Sequence, residues 1–136
     1  MCLFLGVTQT KSQNTTNYDW TPVIDAIIQV ESQGNPKAHN KNGDCVGILQ
    51  ITKVLVREVN NSLKLKGSTK RYTYQDRWDV EKSKEMFIII QERFNKQNNV
   101  EKAIRGWNGG MGNWKTPKTL NYYKKVMKYY NKKGSD

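Results

Sequence analysis

The chain has 136 residues, 36% of them hydrophobic, enough for one domain with a real core and with no stretch long and apolar enough to span a membrane. Lys and Arg number 23 against 12 Asp and Glu, a net charge of +11 that predicts attraction to a polyanion: nucleic acid, an anionic membrane surface, or a wall rich in carboxylates and phosphates. Two cysteines, Cys2 and Cys45, and one histidine, His39, exclude a disulfide framework and a Cys/His metal centre, so no metal and no cofactor are expected.

The opening run Cys2 to Val7 is apolar but short and lacks a basic flank; it reads as the stub of a truncated leader. Thr8 to Asn17 is polar and reads as a flexible lead-in, so residues 1–17 are set apart from a folded domain over 18–133. Thr21 as N-cap and Pro22 in the first turn predict a helix to about Ser32, stopped by Gly34. Val23, Ile24, Ile27, Ile28 and Val30 form its apolar stripe, and Glu31 follows Ile27 by four residues and Ile24 by seven. A polar loop from Asn35 to Asp44 has room for a small β-hairpin between Asn35 and Val46.

After Gly47-Ile48-Leu49-Gln50-Ile51, the residues Val54, Leu55, Val59 and Leu63 predict a second helix, followed by a loop from Lys64 to Tyr74, and Asp76 also reads as a loop residue. A third helix, capped by Asp79, should run through Met86, Phe87, Ile89, Ile90 and Phe94 to about Asn95 as the central core element. A short helix from Val100 to Trp107 precedes the Gly109-Gly110-Met111-Gly112 turn. The last helix starts at Thr116-Pro117, with Leu120, Tyr123, Met127 and Tyr130 on one face and Tyr122, Val126 and Tyr129 beside them. The class is mainly α.

Glu31 is the residue with chemical promise. A carboxylate at the end of an apolar face ordinarily reaches water with its head group. One held against hydrocarbon resists ionisation and can serve as a proton donor near neutral pH. Trp107 and Trp114 flank the glycine-rich turn and would pack on sugar rings if the chain acts on a glycan, whereas Trp20 and Trp78 read as core.

Four segments occur in order: Glu31-Ser32-Gln33-Gly34-Asn35-Pro36, Gly47-Ile48-Leu49-Gln50-Ile51, Ala103-Ile104-Arg105-Gly106-Trp107-Asn108-Gly109-Gly110 and Thr119-Leu120-Asn121-Tyr122-Tyr123-Lys124-Lys125-Val126. Together they resemble the motifs of the soluble lytic transglycosylase catalytic domain in the lysozyme-like superfamily, over roughly residues 20 to 130. The resemblance implies a single lysozyme-like helical domain, with a small β-hairpin or loop region beside the cleft. It implies Glu31 as sole catalytic acid and base on the MurNAc-GlcNAc β-1,4 bond, the sugar's own 6-hydroxyl closing a 1,6-anhydro ring.

By the same resemblance Gln50 lines the cleft, Gly47 lets backbone approach the saccharide, and Ser32 supports the helix end. Asn108 bonds the substrate acetamido group or Glu31, with Trp107 standing where the family has Tyr. Tyr122 places its hydroxyl on Glu31, to orient the carboxyl and favour its neutral form. Ile48, Leu49 and Ile51 should simply pack. The implied partners are peptidoglycan glycan strands and an anionic wall surface, met in the periplasm, outside the cell or by phage delivery, by a monomer that needs no nucleic acid.

Two other readings stay open. Asp44, three residues before Gly47, is the candidate second carboxylate of a lysozyme-type muramidase, although the equivalent spacing falls on Cys45. A basic nucleic-acid-binding helical module would instead use Trp78, Trp107 and Trp114 to stack bases and the Lys-rich last helix to hold phosphate.

Overall fold

A computed structural model describes residues 18–134, with side chains to 131. The leader expected over residues 1–17 lies outside the described residues. The architecture is mainly helical: α1 (Thr21–Glu31), a hairpin of β1 (His39–Asn40) and β2 (Cys45–Val46), α2 (Lys53–Leu65), a 3-10 turn (Tyr74–Trp78), α3 (Val80–Phe94), α4 (Val100–Gly109), a second 3-10 turn (Met111–Asn113) and α5 (Pro117–Gly134). No described helix is long and apolar enough to cross a membrane.

Local chemistry sets most of the boundaries. Thr52, Asp79 and Asn99 cap α2, α3 and α4, each side chain accepting the backbone N–H three residues on at 2.9–3.1 Å. At α1 the expected cap moves by one residue: Trp20 occupies the N-cap, Thr21 is already helical, and Asp19 Oδ1 accepts the Thr21 N–H at 3.0 Å. The expected hairpin forms, with His39 opposite Val46 and Asn40 opposite Cys45 in antiparallel register. Asp76, expected in a loop, lies in the first 3-10 turn, where its carboxylate accepts the Thr73 N–H at 2.7 Å.

α5 packs against both α1 and α4, α2 packs on α3, and the first 3-10 turn leads into α3. Phe87 lies with its ring 5.9 Å from Trp20 and 4.9 Å from Trp107, in the same buried cluster as Ile27, Leu49, Met86, Ile90 and Ile104. Three apolar assignments shift. Val54 is 65% exposed, because the buried face of α2 runs through Val56, Val59, Ser62 and Leu63. Leu120 turns outward while Thr119, Tyr122 and Val126 are buried, because the Thr119 hydroxyl belongs to a polar network with Arg105. Trp78 is 36% exposed, its ring set edge-on to His39 at 6.0 Å rather than in the core.

Candidate active site

Glu31 is the last residue of α1, and its carboxylate Oε2 accepts the Tyr122 hydroxyl of α5 at 2.7 Å. Burial raises the Glu31 pKa above the ordinary carboxylate value, and the hydrogen bond from Tyr122 opposes that shift by stabilising the anion. The phenol meets the carboxyl but favours its charged form; it is burial that opposes ionisation. The C-terminal end of α1 adds to this, since the negative pole of a helix disfavours a carboxylate. Among the described residues no second carboxylate contributes to the shift. Tyr122's own hydroxyl is pushed far above its usual range by burial and by the Glu31 charge, so it remains a donor.

Ser32 joins the end of α1 to the loop at 44–51. Its hydroxyl donates to the Ile48 carbonyl at 2.7 Å, with the Ile28 carbonyl at 3.3 Å, and accepts the Gly34 N–H at 3.2 Å. Ile48, Leu49 and Ile51 pack inward, as expected. Gln50 has a left-handed φ of +53°, and its amide donates to the Ala38 and Gly47 carbonyls at 3.1 and 3.0 Å. Both of its protons hold the loop, which leaves Oε1 as the atom it can offer a ligand.

Gly47 (φ +84°) is needed for an approach other than the expected saccharide contact: a Cβ there would stand 1.9 Å from the Arg77 carbonyl oxygen. Arg77 is the residue that sequence reasoning missed. Only 5% exposed, it donates from Nε to the Tyr74 carbonyl (2.8 Å) and from Nη1 to the Asp44 and Ile51 carbonyls (3.2 and 3.1 Å). Its own carbonyl accepts the Ser83 hydroxyl at 3.0 Å. Nη1 also lies 3.6 Å from Asp44 Oδ2, so the Asp44 carboxylate faces a buried cation. Cys45 sits in this neighbourhood: burial raises its thiol pKa, and the charges of Glu31 and Asp44 raise it further.

Gln50, Trp107 and Asn108 share a groove of about 430 Å3 with Leu55, Phe94 and Met111. Glu31 and Tyr122 are not among its lining residues; the Ser32 to Ile48 hydrogen bond ties their helix end to the loop that bears Gln50. Trp107 is half-buried and gives its indole N–H to the Leu49 carbonyl at 3.1 Å, pinning α4 to the same loop. Asn108 Oδ1 is buried without a hydrogen-bond partner, an arrangement that leaves an acceptor for a ligand N–H. Trp114 carries cations at its ring, Arg105 at 5.7 Å and Lys115 at 4.9 Å, where the sequence suggested a sugar face.

A mainly helical domain with a small antiparallel hairpin, its first helix ending in a partly buried acid, defines a lysozyme-like class. The sequence profile described as Transglycosylase SLT domain matches residues 9–130, and the chain belongs to that family. It is accordingly a peptidoglycan-acting domain of transglycosylase type. No curated protein and no solved structure gives a significant match.

Proposed function

We propose that the chain is a lytic transglycosylase that breaks the MurNAc-GlcNAc β-1,4 bond with Glu31 as its single general acid and base, leaving 1,6-anhydroMurNAc ends. The observation that carries this reading is the Glu31–Tyr122 pair: one partly buried carboxyl with a raised pKa, its Oε2 accepting the Tyr122 hydroxyl, and no second carboxylate contributing to its shift. Glu31 would protonate the glycosidic oxygen as the bond opens through an oxocarbenium-like transition state. The resulting carboxylate, held by the Tyr122 hydroxyl, would then take the proton of the muramyl 6-hydroxyl as the ring closes. Asn108 Oδ1 would accept the acetamido N–H, and Gln50 and Trp107 would flank the saccharide. The positive surface would hold the enzyme on an anionic wall outside the cytoplasm.

Hydrolysis through Asp44 is the second reading, since Asp44 lies close enough to influence Cys45 as Glu31 does. Its carboxylate is turned to Arg77, which supports the one-carboxylate mechanism. Mass spectrometry of soluble muropeptides released from purified peptidoglycan tests both, with Glu31→Gln as control. Anhydro products from the wild type and none from the variant are expected; reducing-end products would replace this mechanism with hydrolysis, and equal release by the variant would remove Glu31 from it.

A further inference from the structure

The longest helix has a charge distribution unlike the others. α5 supplies six of the chain's 23 basic residues and none of its 12 acidic ones. Each of α2, α3 and α4 interleaves glutamate with its basic residues. Seven ion pairs occur among the described residues, and no α5 lysine takes part in any of them. Lys118, Lys124, Lys125 and Lys128 are all exposed. At 100° and about 1.5 Å per residue they share one sector about 120° wide and span about 15 Å along the axis. That sector faces away from Thr119, Tyr122 and Val126, which are buried.

A solvated helix face normally mixes both signs, which limits its field. An acid-free row of four cations keeps its potential, and it fits a partner whose negative charges also recur along a line. We propose that the outer face of α5 is a docking surface for a linear phosphodiester polymer of the bacterial wall, separate from the glycan groove. Carboxylates of peptide stems are scattered on flexible branches, whereas backbone phosphates of a linear polymer can meet successive lysines without bending the chain. The choice of a wall polymer over nucleic acid rests on the wall-acting function proposed above. Tyr122 belongs to the same helix on its buried face, so docking would hold α5 by its outer side and leave the Glu31–Tyr122 pair on the inner one.

The test uses the wild-type chain and a variant with Lys118, Lys124, Lys125 and Lys128 all changed to Gln. Binding is measured to purified sacculi that retain their phosphodiester polymer, to sacculi from which acid has removed it, and to duplex DNA, over a range of NaCl. Retained-polymer sacculi should bind wild type more tightly than stripped sacculi. The variant should lose that difference, its slope of log affinity against log salt falling by about 3 at about 0.7 per lysine contact. Release of muropeptides from stripped sacculi should be the same for both proteins. Equal slopes for wild type and variant, or equal binding to retained and stripped sacculi, overturn the proposal, as does a lysine-dependent preference for DNA over the wall polymer. Failure of wild type to cut stripped sacculi would instead count against the proposed enzymatic function, which keeps the two readings distinguishable.

Discussion

Replacing Gly47 by Ala isolates one contact between the loop at 44–51 and the turn that leads into α3. The added Cβ would stand 1.9 Å from the Arg77 carbonyl oxygen and 3.0 Å from its carbon, and both belong to backbone, so no side chain can swing aside. A left-handed conformation costs an L-residue about 1–2 kcal/mol, and overpacking adds about 1–3 kcal/mol. The expected loss is about 2–5 kcal/mol, or roughly 7–18 °C in Tm for a domain of this size. Gly34→Ala is the control, because its φ of +83° is almost the same and nothing lies within 4 Å of the added atom. It should lose only about 1–2 kcal/mol, the left-handed cost alone. Urea unfolding of the three proteins, followed by far-UV circular dichroism, gives the comparison. If Gly47→Ala is no more destabilising than Gly34→Ala, the loop does not rest on Arg77 and the account of that wall fails.

Three further outcomes are expected. Glu31→Gln should be more stable than wild type at neutral pH, because a carboxyl whose folded pKa is raised stabilises fully only below its ordinary value of 4.5 and loses that contribution as pH rises through the raised value. Thermal unfolding from pH 3 to 8 should show the gap open above about pH 4.5; a constant gap would mean that Glu31 titrates normally. Tyr122→Phe removes the hydrogen bond that lowers the Glu31 pKa, so the alkaline limb of kcat/KM should move to higher pH while kcat falls; a limb that stays or moves down contradicts the assigned sense. Arg77→Met removes the guanidinium from the Tyr74, Asp44 and Ile51 carbonyls, of which Ile51 keeps the Val46 N–H, and should cost about 3 kcal/mol or more in urea unfolding, whereas a loss under about 1 kcal/mol would mean that water replaces the guanidinium.

Helix positions were legible because their signals are local. Asp79 at the start of α3 and Pro117 at the start of α5 act within one turn, and both elements begin where those residues indicate. Which face turns inward was less legible, because neighbours decide it. Leu120 is the more apolar residue, yet Thr119 is the one buried, since its hydroxyl meets Arg105 from α4. Arg77 gave no signal: it stands beside Asp76, which reads as a loop residue, and the Asp44 and Ile51 carbonyls that accept from its guanidinium lie 33 and 26 residues back along the chain. Gly47 was recognised as a close-approach glycine, and the Arg77 backbone is a group that approaches it. The Glu31–Tyr122 contact was visible only through the family motifs, and the electrostatic sense of the phenol required the geometry.

The two members of that contact stand 91 residues apart, one on the first described helix and one on the last. Closing so long a loop costs entropy that only the finished packing of α5 against α1 and α4 offsets. A chain emerging during synthesis carries Glu31 before the Tyr122 phenol exists to meet it, and the contact waits for α5. Under the proposed mechanism competence is thus a property of the closed topology rather than of any segment, and recovery of lytic activity during refolding would report the meeting of α1 and α5.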